Sequence, residues 1–151
     1  MRLLLFLACA IALAGICWLW VQRDHAEIKQ ATGKKNLLSK FHRQGLLWKM
    51  LSVLPLPIVF ALLGFGLSWK ALLAFAAFSL YAISFWWYFF DRWLNVERGL
   101  SRWYFGKSNS LDLWLRKQAA KYGLKNQHLI NRVKLPLLLL ASCICLVIVY
   151  S

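Results

Sequence analysis

The chain has 151 residues, 61% of them apolar, and 19 Lys+Arg against 5 Asp+Glu give it a net charge of +14. A soluble domain is about 45–50% apolar and about 25% charged, so a chain with 16% charged residues and nine Trp does not belong to that class. The apolar content also excludes a disordered basic tail and argues against a soluble nucleic-acid binder; the class that fits is a small all-α integral membrane protein.

From the N-terminus, the twenty residues between Arg2 and Arg23, LLLFLACAIALAGICWLWVQ, carry no charge. About 20 apolar residues at 1.5 Å rise cross a hydrocarbon core about 30 Å thick, which predicts a first span over residues 3–22. Residues 50–69 and 71–90 are two further uncharged twenties, bounded by Lys49 and Lys70. With only Ser68-Trp69-Lys70 as a turn, they predict a tight antiparallel hairpin. Pro55 and Pro57 each remove a backbone donor and clash with the preceding turn, so the second span is expected to kink there. Leu135 to Tyr150 has only sixteen residues. It spans if Lys134 snorkels or the bilayer thins locally.

Charge sets the topology. One side of such a four-span chain receives Arg2 and Lys70, while the loops 23–49 and 91–134 hold 7 and 10 Lys/Arg. All five acids, Asp24, Glu27, Asp91, Glu97 and Asp112, share that basic side. The positive-inside rule then places both loops in the cytoplasm of a bacterial-type inner membrane and both termini outside. The start resembles a signal peptide. Cleavage would put the basic loops on the translocated side, so an uncleaved N-out anchor is expected.

Within the second loop, Asp91, Asn95, Arg98 and Arg102 fall within about 60° of one another at helical spacing, with Trp93, Val96, Leu100 and Trp103 opposite. This predicts an amphipathic interfacial helix over 91–106. Asn109 is placed to cap a second such helix, whose apolar stripe is Leu111, Trp114, Leu115, Ala119 and Tyr122 and whose stop is Gly123. Eight of the nine Trp, all but Trp69, lie at or beyond this basic interface. Indole rings favour the headgroup boundary, and each basic residue near an anionic surface contributes about 1 kcal/mol. The candidate lipid or partner contacts are therefore Trp93, Arg98, Arg102, Trp103, Lys107, Trp114, Arg116 and Lys117. Asp91, Asn95, Pro55 and Pro57 are read as structural, with Asp91 pairing to Asn95 or Arg98 to fix the bend.

No residue set predicts a metal site, a cofactor or a catalytic group. Cys9, Cys17, Cys143 and Cys145 lie inside spans, where Cys packs as a small apolar residue, although Cys9 and Cys145 are set at similar depth. His25, His42 and His128 form no ligand spacing. Ala8, Ala12 and Gly15 make a small-residue stripe on the first span, suited to helix contact within or between chains.

At FFDRWLNVERGLSRWYFGKSNSLD (residues 89–112), the positions Asp91, Asn95, Arg98, Gly99, Trp103, Gly106, Lys107, Ser108 and Asp112 carry a resemblance. Their order resembles that in uncharacterised small multi-spanning membrane proteins of bacteria and their phages, which implies a hydrophobic hairpin before the motif and a short span after it. The resemblance implies no activity. The expected function is a non-enzymatic accessory, anchoring or assembly component. Its partners would be the anionic inner leaflet and a larger membrane complex or a second copy. A holin-like or envelope-modifying protein and an interfacial lipid-modifying enzyme using Asp91 and Asp112 are the alternatives.

Overall fold

The apolar runs fold as helices. The computed structural model describes residues 1–30, 45–104 and 110–151, with side chains throughout except at 110–112 and 126–131. The elements are α1 (Arg2–Gln30), α2 (residues 45–53), α3 (Pro55–Phe65), α4 (Trp69–Glu97), α5 (Ser110–Lys121) and α6 (Asn126–Tyr150). Among the described residues there is no strand. Four helical runs, Arg2–Gln30, Gly45–Phe65, Trp69–Glu97 and Arg132–Tyr150, are long and apolar enough to cross a membrane.

Several boundaries differ from the sequence reading, each for a local reason. The second run begins at Gly45 and ends at Phe65, because Gly66 adopts φ 63° and its N–H returns to the Leu62 carbonyl. The hairpin turn is therefore Gly66-Leu67-Ser68, and Trp69 is already helical. Ser68 caps α4, its Oγ accepting the Ala71 N–H. Between α2 and α3 the interruption is confined to Leu54, whose φ −53° and ψ −36° stay helical. Pro55 and Pro57 then occupy the first turn of α3, where their missing donors cost little. The last helix runs through Pro136 and starts well before Leu135, so the helical stretch long and apolar enough to cross reaches 19 residues, Arg132–Tyr150, with Arg132 and Lys134 in the first turn of that stretch.

The largest correction concerns 91–106. α4 stops at Glu97, since Gly99 takes φ 67° and closes a Schellman-type end: Gly99 N–H donates to Val96 O and Leu100 N–H to Asn95 O. Residues 98–104 are turns, so one amphipathic helix, α5, remains of the two expected. Gly123 ends α5 the same way, with φ 62° and the Leu124 N–H on Ala119 O. Asn109 as its cap lies outside the described residues.

α4 is the centre of the bundle, packed against α1, α3 and α6. Ala71, Ala74, Ala77 and Ala82 on its buried face let these neighbours approach. Phe6, Phe60 and Phe78 meet at the core of that contact, with ring centroids 5.2–6.0 Å apart. α1 turns Leu13, Cys17 and Val21 fully inward, while Ala8, Ala12 and Gly15 face away from the bundle. The small-residue stripe is thus unused within the described chain. Leu4, Ile11, Leu63, Leu72, Ile83 and Val147 form an exposed aliphatic perimeter. Apolar surface on that scale suits hydrocarbon rather than water.

Candidate functional site: the basic aromatic end of the bundle

The two ends of the bundle differ in chemistry. At one end, Arg2 Nε donates to Gly64 O at 3.1 Å beneath the Phe65 ring, and Lys70 Nζ reaches Ser151 O at 3.0 Å. These contacts bring together the chain's two predicted outer cations, the hairpin turn and the C-terminus.

The opposite end holds buried charge. Asp24 on α1 and Lys49 on α2 form one ion pair, at 2.5 Å. Asp91 on α4 and Lys134 on α6 form another, at 2.9 Å. Burying an ion pair is tolerated when each charge is matched and further contacts replace water. Here aromatic faces supply those contacts. Lys49 Nζ lies 4.5 Å from the Phe90 centroid and 5.6 Å from that of Trp20, and Lys134 Nζ lies 4.9 Å from Trp87. Trp20 Nε1 donates to Ser52 Oγ at 2.9 Å, and Ser52 Oγ donates to Lys49 O. The acids thus work as interhelical ties. Glu27 is paired too, with Arg23 one turn earlier on α1.

The sequence-predicted site residues divide into two groups. Trp93 is half-buried, edge-on to Trp18 at 5.9 Å and against Phe85 and Phe89. Asn95 is buried, and its Nδ2 donates to Tyr104 O at 2.8 Å, pinning the 98–104 turn back on α4. Asp91 pairs with Lys134 and with neither Asn95 nor Arg98. Asp91, Asn95, Arg98 and Arg102 therefore share no single helical stripe, because the helix ends before Arg98, Asn95 is buried and Asp91 is tied to Lys134.

Arg98, Arg102, Trp114 and Lys117 are exposed, whereas Arg116 and Trp103 are half-buried. On α5, Leu115 and Ala119 face the bundle, leaving Leu113, Trp114, Lys117 and Lys121 on the outer side. Lys107 lies outside the described residues. Pro55 is exposed and Pro57 buried. All four cysteines are free thiols, with Cys143 exposed and the others buried. Two buried side-chain atoms, His25 Nδ1 and Ser84 Oγ, have no hydrogen-bond partner among the described residues.

Sequence reading missed Arg92. Its guanidinium carbon lies 4.7 Å from the Tyr88 centroid and 4.5 Å from that of Trp103. Arg102 stacks on the same indole at 5.2 Å. The available signal was the spacing Tyr88-x-x-x-Arg92, a helical i,i+4 pair; the approach of Trp103 required the Gly99 turn. No protein family, curated protein or solved structure matches the chain.

Proposed function

We propose that this chain is a non-enzymatic four-span accessory or anchoring component of a bacterial-type cytoplasmic membrane. Its basic aromatic end faces the cytoplasm, contacts anionic lipid headgroups and docks a larger membrane assembly. The observation that carries this reading is the partition of charge at that end. Asp24, Asp91 and Glu27 are held in intramolecular ion pairs, while Arg98, Arg102, Lys117 and Lys121 point outward. Acids fixed as helix ties are poorly placed to serve as free bases or metal ligands. Outward cations beside Trp114 and Trp103 suit the headgroup boundary. The resemblance of residues 89–112 to small bacterial and phage membrane proteins agrees with the assignment of membrane type.

Affinity purification of the full chain from native membranes in mild detergent tests the reading. The expected result is recovery with a stoichiometric membrane partner or as a defined oligomer. Recovery solely as a free monomer would overturn it.

A further inference from the structure

The end of α4 and the turn after it hold a grouping of cations without a matching anion among the described residues. Arg92 and Arg102 both stack on the Trp103 indole, with guanidinium carbons 4.5 and 5.2 Å from its centroid. Like charges on one ring repel, and neither arginine has a carboxylate partner among the described residues. The two acids nearest in sequence do not serve: Asp91 is taken by Lys134, and Glu97 makes no ion pair with a described residue. The Trp103 Nε1–H also has no acceptor among the described residues, and Arg98 is exposed at the C-terminal end of the same helix.

The grouping is held in place. Asn95 Nδ2 ties Tyr104 O back to α4, Gly99 turns the chain, and Tyr88 supports Arg92 from beneath. Two planar guanidinium groups and an indole N–H gathered at one pinned turn match the oxygens of a phosphate, which accepts charge-assisted hydrogen bonds from several donors at once. From this juxtaposition we infer that Arg92, Arg102 and Trp103 form a seat for the phosphate of one anionic phospholipid headgroup. A lipid rather than a free phosphate is favoured because the seat follows the last turn of α4, a helical run long and apolar enough to cross a membrane. The inference rests on the proposed lipid contact of this end and narrows it from a diffuse basic surface to one site.

Native mass spectrometry of the full chain in detergent tests it, with phosphatidylglycerol and phosphatidylcholine of equal acyl chains as probes. Wild-type protein is expected to retain one phosphatidylglycerol molecule in preference to phosphatidylcholine. R92Q/R102Q should weaken that binding about tenfold or more, as expected for loss of charge-assisted bonds. R102Q alone should weaken it by a smaller factor without disturbing packing, because Arg102 is exposed and touches only the indole. K125Q, at an exposed cation just before α6, should leave the tight molecule bound. Unchanged preference in both R92Q/R102Q and R102Q would overturn the site while leaving the broader lipid reading intact. No preference in the wild type would overturn both. Displacement of the lipid by millimolar inorganic phosphate would overturn the assignment to a lipid, and equal losses in R102Q and K125Q would overturn the site by reducing the effect to bulk charge.

Discussion

Lys134 on α6 is almost fully buried, and its Nζ lies 2.9 Å from Asp91 Oδ2 on α4. This pair fastens the last helix to the central one at the basic end. Removing one partner leaves a buried charge uncompensated, a cost of about 3–5 kcal/mol for a fully enclosed pair. The Asp91 side chain is 44% exposed, so solvent screening lowers the expected loss in D91L to about 2 kcal/mol. In D91L/K134M the buried ammonium is gone as well, and stability should recover toward wild type. Denaturant unfolding in detergent, followed by circular dichroism, checks both. Equal losses in the single and double variants would show that the charges are not coupled.

The same pair marks where sequence reading stopped. The apolar runs are one-dimensional features, so four helices able to span were legible from length and hydropathy alone. The partner of Asp91 was not, because Asn95 and Arg98 are close in sequence and Lys134 is distant. Only the packing of α6 against α4 brings Lys134 to the carboxylate. Helical periodicity likewise projected one face from Asp91 to Arg102. It ignored the positive φ that Gly99 adopts, although a glycine followed by a change of pattern is an available stop signal. The cations of the candidate site were largely visible as a cluster, whereas the stacking of Arg92 and Arg102 on one indole depends on that turn.

Two glycines should respond to alanine with opposite signs. Gly99 has φ +67° with nothing within 4 Å of an added Cβ, so G99A meets backbone strain alone. A loss of about 1 kcal/mol is expected, from the left-handed conformation. Gly15 is helical, exposed and equally free of neighbours. G15A should stabilise the monomer by about 0.5–1 kcal/mol through reduced backbone entropy. Thermal midpoints of the two variants in the same detergent make the comparison. A second copy packed on the Ala8, Ala12 and Gly15 face would reverse the sign for G15A and change its elution volume.

Trp20 and Ser52 link α1 to α2 through the 2.9 Å bond from the indole N–H. In S52A the buried donor loses its acceptor, which should cost about 1–2 kcal/mol. W20F removes the donor as well, so S52A in a W20F background should cost much less. The difference between these steps, from a double-mutant cycle of unfolding midpoints, gives the coupling. A coupling near zero would mean that Trp20 acts through its ring contacts with Lys49 and Arg23 alone.

The proposed orientation rests on charge and is open to direct labelling. Arg2, Lys70 and the Gly66-Leu67-Ser68 turn share one end of the bundle, and α5 carries Lys117 and Lys121 on its exposed side. Holding the basic loops on the side of synthesis avoids moving their Lys and Arg across the membrane, which is the basis of the positive-inside bias. With each native cysteine replaced by alanine, L67C should react with an impermeant maleimide in intact cells, since Leu67 is 97% exposed. K117C should react only after the membrane is permeabilised. The reverse pattern would invert the orientation. Labelling of both sites from outside would break the four-span course itself, because an odd number of crossings separates Leu67 from Lys117 in that course.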